Sequence, residues 1–347
     1  MLSASILKKV ALCSCYYGGM NDVDTVKTKV QFVDVSSDEA GQRVDNFLLA
    51  RLKGVPKSKI YRIVRKGEVR VNKGRVKPEY KLQPHDRVRI PPLLVPERAP
   101  ATKAGQSLLR LLQNAVVFEN ESLLVVNKPS GLAVHGGSGI SVGLIEALRQ
   151  MRSDARFLEL IHRIDRDTSG CVMIAKKRSM LRYMQQVLRE KSLRGTLGGI
   201  EKVYWALVDG RWPVERKKVD LPLKKYELAS GESRVRVDQS GKPSKTLFTV
   251  LSNYRACTLV EAKPITGRTH QIRVHAQYIG HSLVGDDKYS LDQVNAVMRE
   301  RGIKRLFLHA AKLRFCLPGD TVPTEVVAPL PDDLQRALAS MPADSAR

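Results

Sequence analysis

The sequence is poor in cysteine and in acid, and it has no long apolar run. Its five cysteines (Cys13, Cys15, Cys171, Cys257, Cys316) are an odd number scattered over 347 residues. That excludes a disulfide framework and a zinc quartet, and it points to a reducing compartment. Cys13-Ser-Cys15 has no second half and reads as a pair of reduced bystander thiols. No segment reaches the roughly 20 uninterrupted apolar residues of a membrane-spanning helix, so an integral membrane protein is not expected. Neither Gly-rich stretch closes as a nucleotide loop. His135-Gly136-Gly137-Ser138-Gly139 lacks a Gly-Lys-Ser/Thr ending and Gly241-Lys242-Pro243 fails the same test, so use of ATP or GTP is not expected. Acidic residues number 35 against 59 Lys+Arg, which leaves +24 and a pI near 10.0. An excess that large repels itself in the folded state and is usually tolerated because a polyanion neutralises it, which makes nucleic acid the leading partner.

What is present begins with length and composition. A chain of 347 residues that is 43% hydrophobic and 27% charged suits about two globular domains with buried cores. Residues 1–40 read as an N-terminal extension. Residues 1–19 do not match the texture of the chain beyond them and are expected to be disordered or untranslated, with Met20 as the working start. Intact mass of the protein made from its own gene checks this, and a species containing Met1 would overturn it. Residues 41–95 then read as a small basic module. Val44, Phe47 and Leu48 mark one face of a helix ended by Gly54, and Ile60, Ile63 and Val64 mark a second, capped by Ser58 and stopped by Gly67. Short alternating segments come next at Val69–Val71 and Arg87–Ile90, with a Lys73-Gly74 turn between them and Pro91-Pro92 at the close. Residues 42–95 hold 15 Lys+Arg against four acids, so this small unit carries +11 of the +24. Lys57, Lys59, Arg62, Arg65, Lys66, Arg70 and Lys73 are its candidate phosphate contacts. A merely solvated charged face is the alternative. The order of elements and the phrase Lys-Gly-Glu-Val-Arg-Val-Asn resemble the α-L RNA-binding domain of ribosomal protein S-four.

Residues 96–114, rich in Pro, Ala and Lys without sustained periodicity, read as a flexible linker. From residue 115 to about 342 the texture becomes short apolar strands, among them Val116–Phe118 and Leu123–Asn127. The most unusual string is His162-Arg163-Ile164-Asp165-Arg166-Asp167-Thr168-Ser169-Gly170. It is no kinase loop, because the Asp comes one place late and no partner motifs exist. It is no aspartic protease either, because there is no second carboxylate motif. An Asp flanked by Arg163 and Arg166 is expected to be held ionised, fit to act as nucleophile or base. A structural Arg–Asp ion pair at the entrance to a strand suits the same letters.

At this string the chain resembles the ribosomal large subunit pseudouridine synthases. The likeness spans about residues 30–340 and rests on Gln42–Leu48, Lys66–Asn72, Asn127–Gly131, His162–Gly170, Tyr204–Val208, Thr266–His275 and Leu306–Ala311. The resemblance implies an α+β protein: a mixed, mainly antiparallel sheet catalytic domain of the pseudouridine synthase fold behind the N-terminal α-L module. It implies isomerisation of uridines in 23S ribosomal RNA by a cytoplasmic monomer, with no metal and no cofactor. Asp165 then corresponds to the catalytic aspartate. Arg163 would fill the gap left by the flipped nucleotide and Tyr204 would stack on the target uracil. Arg273 is the candidate salt-bridge partner of Asp165, with Arg268 as the fallback.

The residues taken alone are compatible with those roles and also with plainer ones. Tyr204 shares a strand face with Ala206 and Val208, as a core tyrosine would. Thr269–Gly280 reads as a helix with Ile272, Ala276 and Ile279 on its apolar stripe, and Arg273 beside that stripe needs a carboxylate if buried. A surface Arg on a phosphate is the other reading. His162, His270, His275 and His309 show no zinc-ligand spacing and read as hydrogen-bonding residues. Leu193–Ile200 is longer and richer in glycine than the family pattern, so it either reshapes the RNA channel or is a surface loop. Two other functions stay open: an RNA-binding ribosome-assembly protein without chemistry, and a synthase acting on tRNA or another site.

Overall fold

The computed structural model describes residues 25–37, 39–52, 54–96, 103–137, 142–194, 199–213 and 215–342. Residues 1–19, with Cys13 and Cys15, and the stretch 195–198 lie outside the described residues. Two compact units divide the chain, residues 1–101 and 102–347.

The first unit contains β1 (Thr25–Lys27), β2 (Gln31–Asp34), α1 (Val44–Arg51), α2 (Lys57–Arg65), β3 (Arg70–Val71), β4 (Gly74–Arg75), β5 (Arg87–Ile90) and β6 (Leu94–Pro96). Its four-stranded sheet runs β2-β5-β3-β4, and β1 pairs with β6. Residues 25–34, expected as an extension outside the module, therefore supply two of its strands: backbone pairing of β2 along β5 incorporates them. Ser58 does not cap α2, because the helix begins one residue earlier at Lys57, behind Pro56. The β3–β4 hairpin turns at Asn72 and Lys73, both at positive φ (51° and 68°), and Gly74 lies in the strand. Two left-handed residues give the twist that a two-residue hairpin requires. The core of this unit is aliphatic, built on Val44, Phe47, Leu48, Ile60, Val64, Leu82 and Val88. Buried Asp45 ties its two helices together, taking hydrogen bonds from Arg43 (2.6 Å) and from the Tyr61 hydroxyl (2.9 Å).

The second unit continues as α3 (Gln106–Asn114), β7 (Val116–Glu119), β8 (Leu123–Lys128), α4 (Leu144–Met151), β9 (Glu159–Leu160), β10 (Ser169–Ala175), α5 (Arg178–Arg194), β11 (Glu201–Asp209), β12 (Arg216–Asp220), β13 (Leu223–Glu227), β14 (Ser233–Val237), β15 (Lys245–Tyr254), β16 (Cys257–Pro264), α6 (Gln271–Tyr278), α7 (Asp292–Glu300), β17 (Leu308–Phe315), β18 (Thr324–Val327) and α8 (Asp332–Ala339). Much of the expected linker is the helix α3, whose Leu112 is fully buried in the core of this unit. Leu108 and Leu109 pack on the same core, so the segment carries a helical apolar stripe that its Pro- and Ala-rich start obscures.

The main sheet runs β12-β15-β16-β11-β17-β10-β8-β7, with β18 beside β17 and β9 beside β10. Every pair of described strands in it is antiparallel except β10 and β17, which run parallel. Alternation along β11 serves two cores. Tyr204, Ala206 and Val208 join a large cluster that includes residues of α4, α5 and α6, and Leu207 joins a second with Met298 of α7 and Leu334 of α8. At the parallel junction Gly170 (φ 110°) pairs with Ala310, and a Cβ built there would stand 2.3 Å from the Ala310 carbonyl oxygen. Only glycine allows that approach, and it holds the His162–Ser169 segment against the middle of the sheet. Gly170→Ala is expected to cost about 2–4 kcal/mol and to lower Tm by roughly 5–10 °C in a thermal melt. A wild-type Tm would show that the junction relaxes freely.

Candidate active site

The segment ahead of β10 is pinned by its neighbour before its side chains are considered. Lys128, at the end of β8, is completely buried and donates from Nζ to the carbonyls of Pro129 (2.8 Å), Leu132 (2.7 Å) and Arg166 (2.9 Å). Gly131 N–H also donates to the Arg166 carbonyl (2.9 Å), and the Ser130 hydroxyl donates to that of Asp167 (2.7 Å). The Asn127–Gly131 string therefore works through backbone carbonyls of the Asp165 turn, which Thr168 N–H closes onto the Asp165 carbonyl (3.2 Å). Burial pushes the pKa of Lys128 down to about 7, against the pull of Asp167 and Asp165.

Asp165 opens into a cleft of about 390 Å³ lined by Arg163, Lys202, Tyr204, Arg268, His270 and Arg273, among others. The opposite wall is the turn before α6, braced by the buried Gln271. Its Oε1 accepts from the Thr266 hydroxyl (2.7 Å) and Arg268 N–H (3.0 Å), and its Nε2 donates to the Lys245 carbonyl (2.9 Å). His270 ends this turn in the left-handed region (φ 53°, ψ 20°). A non-glycine residue is held there at a cost of order 1 kcal/mol, and such conformations gather at functional sites.

Arg163 and Arg166 do not hold Asp165. Arg166 folds onto Asp167 (Nε to Oδ1, 2.9 Å), and Arg163 is exposed on the cleft wall. Arg166 is drawn off by the carboxylate next to it, which lies in the turn at 166–167. The cation facing Asp165 is Arg273, whose Nη1 stands 3.6 Å from Asp165 Oδ2, and His270 Nε2 stands 3.8 Å from the same oxygen. Arg273 is itself held by another carboxylate, with Nε and Nη2 each donating to Asp286 at 2.7 Å. The Asp286 side chain is 0% exposed, and its Oδ1 also accepts from the backbone N–H groups of Lys288 and Tyr289. The Arg273 guanidinium further lies over the Tyr289 ring, 5.0 Å from its centroid.

Tyr204 is buried on β11 where the register against β17 shifts between Val203 and Trp205. Such a bulge re-aims a side chain, here toward the cleft. Burial, and after it the charge of Asp165, pushes its phenol pKa up. Arg268 lines the cleft but donates to the Pro243 carbonyl (3.2 Å). Of the candidate residues, the cleft thus brings together Asp165, Arg163, Tyr204, Arg268 and Arg273. His275 and His309 sit in buried hydrogen bonds, to Ser244 and Thr246 and to Ser169 and the Ala328 carbonyl. Among the described residues no three His, Cys, Asp or Glu side chains gather as a metal site requires. Asp286 and Tyr289 are functional residues that the sequence reading missed. The need of a buried Arg273 for a carboxylate was visible, and Gly285-Asp286-Asp287-Lys288-Tyr289 was the signal that could have supplied it.

In the first unit, Lys59, Arg62 and Lys66 line a depression of about 350 Å³ together with Lys27, Glu68 and Leu93. Lys57, Arg65 and Lys73 are exposed beyond it. Arg70 is exposed but folds back on its own hairpin, donating to the carbonyls of Gly67 (3.3 Å) and Lys73 (3.2 Å).

Comparison with known proteins gives two family matches, RNA pseudouridylate synthase over residues 122–278 and S4 domain over residues 42–88. The chain is 53% identical over 323 residues to the Ribosomal large subunit pseudouridine synthase C of Pasteurella multocida, covering 92% of this chain and 96% of that one. It is 52% identical over 320 residues to the protein of that name from Escherichia coli O157:H7, covering 91% and 98%. Among solved structures, Human RNA Pseudouridylate Synthase Domain Containing 4 is similar with a TM-score of 0.55 at 26% identity, over 67% of this chain and 95% of that one. Human RNA Pseudouridylate Synthase Domain Containing 1 gives 0.51 at 25% identity, over 70% and 100%.

Removing one partner of a buried ion pair strands the other charge. Asp286→Asn is expected to destabilise the second unit by about 3 kcal/mol, read as a shift of the urea midpoint at unchanged m-value. An unshifted midpoint would mean that Arg273 finds a substitute counterion.

Proposed function

The chain belongs to the RNA pseudouridylate synthases, with their fold behind an N-terminal S4 domain, and is therefore an isomerase; from that premise we propose that it converts uridines of 23S ribosomal RNA to pseudouridine, with Asp165 as the catalytic carboxylate. The names of its relatives support the substrate. The observation that carries the assignment of Asp165 is its position in the cleft, with Oδ2 turned to the buried Arg273 and Tyr204 lining the same space.

The reaction breaks the bond from ribose C1′ to uracil N1 and forms one from C1′ to C5; C5 gives up its proton and N1 ends carrying one. Atoms and electrons balance within the substrate, so the reaction consumes no oxidant or reductant, and the proposed route uses side chains alone. Asp165 serves by attack at the sugar or by assisting glycal formation, and a carboxylate suits both. A uridine inside a helix hides its glycosidic bond and must be extruded, at a cost of a few kcal/mol. Arg163, exposed on the cleft wall, has the length and planarity to occupy the vacated stack. Tyr204 offers an aromatic face to the extruded base. Arg273 supplies fixed positive charge beside Asp165, and Arg268 is a second cation on the wall.

In the S4 domain, Lys57, Lys59, Arg62, Arg65, Lys66 and Lys73 are read as phosphate contacts, with Arg70 divided between RNA and its own hairpin. Contacts of this kind set affinity and register without selecting a base. The proposal places the protein as a monomer acting on RNA in the cytoplasm, where its relatives' ribosomal substrate lies; no helix among the described residues is long and apolar enough to cross a bilayer.

Tritium release from 23S rRNA labelled at C5 of uridine tests the chemistry, because that hydrogen is lost when C5 bonds to ribose. Release by wild type, with a loss of at least about 10³-fold in Asp165→Asn and retained RNA binding, is the expected result. A binding protein without chemistry would release nothing, and release from tRNA alone would move the substrate. Charge reversal of Arg62 and Lys66 together is expected to weaken rRNA binding and to flatten its dependence on salt by roughly one to two units of log–log slope. An unchanged slope would remove these residues from the interface.

A further inference from the structure

Asp165 has a second donor besides Arg273, and its geometry fixes where one proton sits. We propose that His270 is a positioning residue for Asp165, held by Tyr289 as the neutral imidazole that carries its proton on Nε2. The proposal rests on the reading of Asp165 as the catalytic carboxylate.

A count of hydrogens assigns the tautomer. The Tyr289 hydroxyl oxygen lies 3.0 Å from the Val235 backbone nitrogen and 2.7 Å from His270 Nδ1. The Val235 N–H can only donate, so it takes one lone pair of the oxygen. The phenol hydrogen then needs an acceptor, and among the described residues Nδ1 is the one in reach. With Nδ1 accepting, the proton of the neutral ring is on Nε2, which faces Asp165 Oδ2 at 3.8 Å. The other tautomer turns a lone pair toward the carboxylate and leaves the buried phenol hydrogen without an acceptor. The imidazolium also strands that hydrogen. Tyr289 is 7% exposed, so water does not easily repair either loss.

The charges around the ring keep it neutral. Asp165, from the turn before β10, and Asp286 favour protonation. Arg273 on α6, Lys288 beside Tyr289 and, above all, burial oppose it, and the His270 pKa lies below its ordinary value. Burial pushes the Tyr289 phenol up to about 12, which keeps it a donor. His270 and Arg273 both approach Asp165 with Oδ2 as the near oxygen. Two groups converging on one edge of the carboxylate fix the direction in which it faces the cleft. The 3.8 Å contact is long for a hydrogen bond, as such contacts often are before substrate closes the site. Val235 lies on the β13–β14 hairpin, so the seating of that hairpin helps to set the proton at the catalytic carboxylate.

The test uses full-length protein labelled with [15N]histidine and long-range proton–nitrogen correlation, with His270 assigned among the seven histidines by His270→Gln. Wild type is expected to show an unprotonated Nδ1 and a protonated Nε2 from about pH 6 to 8. Tyr289→Phe removes a donor to the neutral ring, so the His270 pKa should rise and the tautomers mix. Single-turnover tritium release should slow by about tenfold in that variant, with RNA affinity held within about twofold. His270→Gln, which keeps a donor, should retain more activity than His270→Ala. A protonated Nδ1 in wild type, an imidazolium at pH 7, or a Tyr289→Phe enzyme with wild-type tautomer and rate overturns the proposal. The tautomer is read without turnover, so a fully active Asp165→Asn enzyme would sink the catalytic premise separately.

Discussion

The site depends on a buried guanidinium that has more carboxylates than it needs. Asp286 takes Nε and Nη2 of Arg273 at 2.7 Å each and leaves Nη1 for Asp165 at 3.6 Å. Had Asp165 been the only counterion, a bidentate pair would have consumed both of its oxygens, and a carboxylate so engaged makes a poor nucleophile or base. Asp286 removes that conflict. It meets the desolvation demand of Arg273 deep in the protein, and backbone N–H groups of Lys288 and Tyr289 meet its own. The trio keeps a net charge of −1, and that charge sits on Asp165, the member nearest the cleft.

The frame around this pair is rigid where aim matters. The parallel contact of β10 with β17 joins the β7-β8-β10 side of the sheet to the β17-β11-β16 side, and the Asp165 turn lies at the head of β10. Gly170 lets the two backbones meet, and Lys128 and Gly131 grip the Arg166 carbonyl from the β8 side. Three separated strings of the sequence thus fix one turn, chiefly through main-chain atoms. A carboxylate placed this way does not rely on the conformations of its surface neighbours, which is why Arg166 is at liberty to pair with Asp167.

The same distinction governs how much was legible in the sequence. Local patterns read well: the stripes of α1 and α2, the strands β7 and β8, and α6 with Arg273 beside its apolar stripe. Contacts made by the backbone across long separations did not. β1 and β2 join the first unit through pairing with β6 and β5; the alternation Val26-Lys27-Thr28-Lys29-Val30-Gln31-Phe32 marks strand but does not say which strands it pairs with. The helix α3, with Leu108, Leu109 and Leu112 toward the core, was hidden because its stripe follows directly on a Pro- and Ala-rich stretch that reads as linker. At the site, Asp165 stood out by its string, but the adjacent arginines suggested the wrong cations. Arg166 pairs with the adjacent Asp167 instead, and the cation that faces Asp165 arrives from α6. The carboxylate of Asp286 lies 13 residues beyond Arg273, and nothing in the local pattern ties the two together.

Both units present positive charge, and they do so on different scaffolds. The first places +11 on about 54 residues, and its cations stand on an aliphatic core with few internal counterions. Charges arranged so attract phosphate whatever the base, and their grip falls steeply with salt. The cleft in the second unit is also lined by more cations than carboxylates, with Arg163, Arg189, Lys202, Arg268 and Arg273 around Asp165. Arg273 is met by Asp286 and Asp165, and Tyr204 and Tyr289 add buried aromatic surface. Both units therefore attract phosphate, which carries no base identity, so on the proposed reading the choice of a uridine falls to short-range contacts, where Tyr204 and the turn that His270 ends border the same space.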